Sequence, residues 1–480
     1  MFLLAVLASA QTIHVDTSHH VNSFRPTEAL GAAVDRLPDG APEKLLSKPV
    51  LDKVLQAGWQ TVTYRQNTEL RIQAWHWNPR GHWSNQAKQQ GYFTGDATPS
   101  GTLTDSYGYS LPDRGFTRND GTLSGYSRLT DGDLHTYWKS NPYLTRAFTH
   151  EDDSLHPQWV ILDLRTPQDI NAMRIAWAAP YARTYFVQFW TGSEDPIKNA
   201  TEGVWETFPS GAITNGKGGT VKLRLSRKPV RARYLRVWMT QSSDTCDDHG
   251  SQDRRNCVGY AISEVYAGSI ASDGTFHDAT RHSPDQRQTT TWCSSIDPWH
   301  NASDLDKKAG EQTGFDLFFR SGVTRGLPAM IPIAMLYGTP ENSAAEIQYL
   351  ENRHYPISYV EMGEEPDGQY MLPEDYAALY LQWATALHKV DPKLKLGGPI
   401  FTGVNEDIKV WPDAEGRVSW LGRFLDYLKT HGRFSDLAFM SFEHYPFAPC
   451  QTTWDDLYKE PYLIKHIMQV WRQDGLPPNV

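Results

Sequence analysis

Between residues 121 and 269 the chain carries one short strand-like run after another, with no helix-period segment between them. The runs read QWVILDL, INAMRIAWA, TYFVQFWTG, TVKLRL, ARYLRVWMT and AISEVYAG, separated by turns containing Gly, Pro or Asn. β-Branched and aromatic residues dominate each run, so the block predicts an all-β sandwich. On both sides the text changes to mixed helix and strand. A sandwich set between two such stretches is an insertion into a host domain. The expected division is therefore 11–120 for the first part of the host, 121–269 for the sandwich and 270–480 for the rest of the host. At 480 residues the chain is long enough for more than one core.

The second part of the host alternates regularly. LPAMIPIAMLYG (327–338) and HYPISYVEMG (354–363) predict buried strands. PEDYAALYLQWATALHKVDP (373–392) predicts a helix with Tyr376, Leu379, Tyr380, Trp383, Leu387 and Val390 on one face. KLKLGGPIF then predicts a strand, WLGRFLDYLKTHG a helix, LAFMSFEHYPF a strand and YLIKHIMQVWRQDG a helix. Apolar strands alternating with helices predict a parallel sheet, either a barrel or a doubly wound one. The closing GLPPNV is what normally leads into another strand, so the repeat is expected to continue past Val480. In the first part, residues 48–66 predict a helix and a buried strand, and LRIQAWHWNP (70–79) a second strand. The Gly- and Pro-rich text from there to about residue 120 predicts a long connection without core elements.

The N-terminal MFLLAVLASA combines an apolar stretch with a small-x-small cleavage pattern, so residues 1–10 are expected to be a signal peptide and the protein secreted or periplasmic. No later run has the roughly 18 apolar residues of a membrane helix. The formal charge of -10 argues against a general nucleic-acid partner. Of the four cysteines, Cys246 and Cys257 flank a polar loop. Two readings stay open there, a disulfide in an oxidising compartment and a zinc site using His249.

The chemistry concentrates at GEEPD, where Glu364 and Glu365 stand side by side at the end of a predicted strand. Pro366 biases Glu365 away from the helical region, and a carboxyl beside a second acid is suited to general acid work. GEEPD resembles the Asn-Glu-Pro motif that ends the fourth barrel strand in the clan of retaining (β/α)8 glycoside hydrolases. The β-xylosidase/iduronidase-like and heparanase-like branches are the most similar. The likeness runs on through the following helix, LGGP (396–399) and FEHYPF, and it covers 276–480 better than 20–80. It implies an α/β fold, a (β/α)8 TIM-like barrel truncated at its C-terminus and interrupted by the sandwich. It makes Glu365 the acid/base. Glu364 stands where relatives have the Asn that contacts the sugar 2-hydroxyl, a departure that changes the contact. His444 and Tyr445 fall beside the nucleophile, and the nucleophile itself is expected on a seventh strand after Val480. Glu443 is the substitute within this sequence, although strand alternation points it away from the side of His444. Trp75, Trp77 and Tyr445 are the candidate sugar platforms.

The inserted block has a resemblance of its own. YSRLTDGDLHTYWKS (126–140) is similar to the opening of discoidin-like, coagulation factor 5/8 type C modules, and AISEVYAG to their closing strand. Such modules are commonly carbohydrate binders in bacterial glycosidases. The resemblance implies a structural Ca2+ held by Asp131, Asp133 and Glu264, and the expected hydrolysis calls for no cofactor. The expectation is an exported retaining glycoside hydrolase acting on a polysaccharide or oligosaccharide. The alternative is a non-catalytic carbohydrate-binding protein with an idle barrel.

Overall fold

The computed structural model describes residues 14, 16–18, 37–38, 40–57, 69–70, 73–110, 127–305, 311–402, 406–447 and 451–480. The expected signal peptide and the expected strand at 59–64 lie outside them. Helix α1 (Lys48–Gln56) is followed by five short strands: β1 (Glu69–Leu70), β2 (Gln73–His76), β3 (Gly81–Asn85), β4 (Gln90–Gly95) and β5 (Asp105–Ser110). The structureless connection expected after residue 79 is thus corrected as far as residue 110. Trp83, Tyr92, Phe93 and Tyr109 from these strands are buried. Glycines hid the alternation, and they are there for a packing reason. A Cβ at Gly95 would come within 2.5 Å of the Trp77 ring, and one at Gly108 within 3.1 Å of the Trp75 ring.

The sandwich comprises β6 (Trp138–Lys139), β7 (Gln158–Ile170), β8 (Ala172–Trp177), β9 (Ala182–Trp190), β10 (Trp205–Ile213), β11 (Gly219–Arg224), β12 (Val230–Ser242), β13 (Ala261–Ile270), β14 (Phe276–Asp278) and β15 (Thr290–Cys293). One sheet runs β10-β9-β12-β7-β15, and the other runs β11-β8-β13-β14 with β6 on β13. The pairing extends past residue 269, because β15 hydrogen-bonds to β7. Two further strands, β16 (His300–Asn301) and β17 (Glu311–Thr313), pair back onto β4 and β5. Strands before and after the sandwich therefore share sheets, and the sandwich is looped out between them.

Beyond it the chain alternates: β18 (Ala329–Ile333), α2 (Pro340–Asn352), β19 (Ile357–Met362), α3 (Pro373–Val390), β20 (Leu396–Gly397), α4 (Trp420–Thr430), β21 (Leu437–Phe439) and α5 (Glu460–Gln473). The four strands are parallel and lie in sequence order. Among the described residues this is a sheet of four parallel strands, where the sequence predicts a C-terminally truncated (β/α)8 barrel. Helix α3 begins with Pro373, has Glu374 and Asp375 in its first turn and His388 and Lys389 in its last, each placed favourably for the helix dipole. Its Tyr376, Leu379, Tyr380, Trp383 and Leu387 are fully buried with Val360, Met362, Leu396 and Phe424.

The sandwich is welded to this parallel domain. In β7, Val160 and Leu162 face the sandwich core, while Trp159 and Ile161 join a second cluster with Trp190, Tyr234, Trp292 and Trp411. Both faces of β7 are covered, which is why its sequence is a continuous apolar run instead of an alternating one. Trp411 comes from the loop between β20 and α4, and its indole N–H donates to Pro196 O at 3.0 Å. The Arg236 guanidinium sits 4.1 Å from the Trp238 ring, 4.4 Å from Trp205 and 4.8 Å from Trp411, cation–π contacts within a buried cage. A polar tie lies beside it. His156 Nδ1 is 3.0 Å from Asp375 of α3, and His156 Nε2 is 2.9 Å from Glu151. Glu151 in turn accepts from Tyr427 of α4.

Candidate site at the strand ends

Strand β19 ends in the turn that carries the two acids. Gly363 takes φ 83°, and a Cβ there would lie 2.9 Å from Glu69 Oε1, so the turn rests directly on a carboxylate below it. Glu364 is buried at 5 % exposure, and Glu365 is half-buried. Glu365 has φ 50°, outside the extended region favoured before proline and costly for a residue with a Cβ. Hydrogen bonds hold it there. Its N–H donates to Ile400 O at 3.2 Å, and its carbonyl accepts from Gln369 N at 2.9 Å. The Gln369 side chain then bridges the turn, donating to Glu364 O at 2.7 Å and accepting from Tyr337 Oη at 2.6 Å. Tyr370 and Ile400, on the same facing loops, also take positive φ of 64° and 53°. Left-handed non-glycine residues concentrated at one place mark a conformation over-determined by its surroundings, as at working sites.

The carboxylate underneath is Glu69, which the sequence reading passed over. It is fully buried and accepts backbone N–H bonds from Leu336 and Tyr337 at 2.9 Å each, at the end of β18. Burial pushes it up to about 7 against the downward pull of those bonds. Two more acids complete the group. Glu361 on β19 accepts from Ser441 Oγ at 2.5 Å, and Asp367 accepts from Thr402 N at 3.2 Å. Dense surroundings push Asp367 up to about 6, although part of the residue reaches solvent. The ends of β18 and β19 thus gather acids of unequal burial, the arrangement that separates a proton donor from charged neighbours.

The other expected residues sit as follows. His444, just past β21, packs edge-on against Phe442, with Nε2 3.3 Å from Glu460 Oε1 of α5. Tyr445 is 69 % exposed and offers an open ring. Trp75 and Trp77 are corrected as sugar platforms, because they are 6 % and 4 % exposed. Trp77 is also fixed by its N–H on Asn342 Oδ1 at 3.1 Å, and both rings lie against glycine backbone. Glu443 donates its N–H to Phe401 O at 2.7 Å, continuing the parallel pairing beyond β21.

On the sandwich, the expected calcium ligands do not form an oxygen cage. Glu264 is fully buried and turns its carboxylate to the Gly132 N–H and to His282 Nδ1. Asp131 accepts from Asp133 N at 2.9 Å and from Thr136 Oγ1 at 2.6 Å, while Asp133 caps His135 N at 2.9 Å. Hydrogen donors, not carbonyl oxygens, meet these carboxylates, so the set as arranged does not fit a hard cation. His282 supplies the charge instead. Burial lowers its affinity for a proton, but Asp278 and Glu264 more than offset this and raise it to about 9. The Cys246–Cys257 disulfide is formed. His249 contacts Asp247 and Asp248, but Asp247 already pairs with the buried Lys139 at 2.9 Å.

At one end of the sandwich lies a polar cleft of about 780 Å³, walled by Thr145–Ala147, Asp152–Ser154, Arg183, Thr240–Asp244 and Arg254. Tyr260 lies near it, 1 % exposed, with a hydroxyl that has no hydrogen-bond partner among the described residues. Burial, and after it the charges of Asp153, Asp244 and Asp152, raise that phenol well above its usual range. Among the described residues no helix is long and apolar enough to cross a membrane.

Residues 117–251 match the family model of the F5/8 type C domain, and the sandwich is of that discoidin-like type. No curated protein matches the chain. Among solved structures it is similar to chitosan-binding module 1 of a chitosanase/glucanase from Paenibacillus sp. IK-5. The identity there is 22 %, covering 29 % of this chain and 80 % of that one, with a TM-score of 0.20. Module 2 of the same enzyme, in complex with chitotriose, gives 20 % identity over 29 % of this chain and 82 % of that one, TM-score 0.21. A glucosidase from Croceicoccus marinus gives 20 % identity over 36 % of this chain and 35 % of that one, TM-score 0.24.

Proposed function

We propose that the protein is an exported glycoside hydrolase whose parallel domain is a (β/α)8-type barrel and whose F5/8 type C module engages carbohydrate. The observation that carries the hydrolase reading is the clamped turn after β19. There a half-buried Glu365, held in a left-handed conformation, stands beside the buried Glu364 and above the buried Glu69. Parallel-strand ends of this kind are where barrel enzymes place their chemistry. Glu365 gives its proton to the glycosidic oxygen as the bond to the anomeric carbon breaks. A second carboxylate takes that carbon in a retaining reaction, and Glu365 then accepts a proton from the water that releases the sugar. Glu364, in place of an amide, accepts from a sugar hydroxyl. The disulfide in the module supports action in an oxidising compartment.

The test is hydrolysis of a panel of aryl glycosides and of plant and microbial polysaccharides by the protein and by Glu365→Ala. Turnover of one substrate, reduced by about 10²-fold or more in the variant, is the expected result. Turnover unchanged in the variant would remove Glu365 from the mechanism. A second reading, a carbohydrate-binding protein without hydrolysis, is supported by the polar cleft of the module, walled by Arg183, Arg254, Asp153 and Asp244 among others. Glycan retention without turnover on any of these substrates would favour it.

A further inference from the structure

A pocket of about 280 Å³ opens at the seam between the module and the parallel domain. The module contributes Trp159, Pro196, Ile197 and Ala200, and the loops after β19 and β20 contribute Asp367–Gly368, Tyr370–Leu372, Thr402 and Ile408–Trp411. It is therefore built by two parts of the chain that the sequence keeps far apart. The volume is at the small end of ligand pockets, sized for a single small ring and not for an extended drug-like molecule.

Its chemistry is divided. The apolar lining is the half-buried Ile197, backed by Met371, Trp411 and Trp159, which are themselves buried, Trp159 and Trp411 meeting edge to face at 4.9 Å and 62°. Asp367, Thr402 and Lys409 make the polar part, with Tyr370 between the two. A pyranose ring has the same division, with C–H faces and a rim of hydroxyls. A carboxylate accepts from two neighbouring hydroxyls, and an ammonium donates to ring or hydroxyl oxygen. The pocket also lies on the turn that bears the acid. Asp367 follows Glu365 by two residues, so their Cα atoms are at most about 7 Å apart.

We propose that this pocket is a sugar subsite, holding a pyranose ring of the same glycan whose bond lies at Glu365, so that the inserted module forms one wall of the cleft. The proposal rests on the glycan-directed reading above. It assigns the module's contribution to the outer face of its five-stranded sheet, in addition to its loop-end cleft. It also accounts for the weld between the domains, since a subsite shared by two bodies works only if they are held in register.

The test is calorimetric binding of cello-, xylo- and chito-oligosaccharides, from dimer to hexamer, to the full chain carrying Glu365→Gln, with and without Ile197→Trp, which fills the pocket from the module side. A second variant, Asp367→Asn, removes the carboxylate without adding bulk, and thermal unfolding reports whether each variant is folded. The expected result is that affinity rises with length in the parent and that this gain falls by about tenfold in both variants. Equal length dependence in parent and folded variants would overturn the proposal, as would no binding of any of these oligosaccharides. Hydrolysis is read separately in the chain with Glu365 intact. Binding that depends on Ile197 and Asp367 without turnover would keep the subsite and remove the hydrolase, whereas turnover indifferent to both would do the reverse.

Discussion

His156 gives the weld between module and parallel domain a specific pH signature. Its ring is 1 % exposed and lies between Asp375 on α3 and Glu151, at 3.0 and 2.9 Å. Burial works against the imidazolium, yet the hydrogen bonds and charges of the two carboxylates outweigh it and raise the ring from 6.5 to about 9. Because the folded value lies above the unfolded one, the proton binds the folded state more tightly. The stabilisation is therefore complete below about pH 6.5, declines as pH rises and is gone above about 9. At ~1.4 kcal/mol per pH unit that gap corresponds to about 3 kcal/mol. His156→Gln should therefore lower stability by about 3 kcal/mol at pH 6 and by much less at pH 9.5. Burial raises Asp375, against the downward pull of the His156 hydrogen bond and charge. The assay is denaturant unfolding followed by tryptophan fluorescence at both pH values. His282 titrates in the same range, so the quantity to read is the difference between variant and parent. An equal loss at both pH values would refute the imidazolium bridge and leave only a packing role.

Trp411→Ala removes a nearly buried ring from the seam and should cost about 3–5 kcal/mol, splitting one calorimetric transition into two as the module uncouples; a single transition of unchanged midpoint would contradict this. Reducing Cys246–Cys257, whose partners are 11 residues apart, should lower module stability by about 3 kcal/mol in the chain-entropy account, seen as a lower melting temperature with reductant. Ca2+ or a chelator should leave the melting temperature unchanged, because Glu264 is committed to His282 and Gly132 N–H; a rise of several degrees with Ca2+ would reverse that assignment. Glu69→Gln places an amide donor against backbone N–H groups and should cost about 1–3 kcal/mol, with any hydrolysis at Glu365 falling as the turn above it shifts, measured by unfolding and turnover together.

Elements with a clean period were legible in the sequence. Helix α3 was expected over 373–392 and spans Pro373–Val390, because one apolar stripe and a proline at its start decide it without help from the rest of the fold. The runs from QWVILDL to AISEVYAG became β7, β8, β9, β11, β12 and β13 for a similar reason. Strand β10, WETFPSGAI, is not legible in the sequence, because its residues mostly face solvent and carry no apolar alternation. The glycines of β3 to β5 read locally as turn signals, although Gly95 and Gly108 leave room for the Trp77 and Trp75 rings and Gly81 for the facing β4 backbone and Phe93.

The candidate site divided along the same line. Glu364 and Glu365 announce themselves by standing together before a proline. Glu69 cannot, since it is a single acid in QNTEL and becomes informative only when the end of β18 turns its N–H groups onto it. QWVILDL is apolar without alternation, and a strand in an antiparallel sandwich has no reason to be so unless its outer face is covered as well. Read that way, Trp159 and Ile161 already require a second body against the sheet, and Trp411, Tyr370 and Leu372 of the parallel domain are what meet that requirement. The most informative residues in this chain are therefore the apolar ones in the wrong phase, because they report on contacts that no local motif encodes.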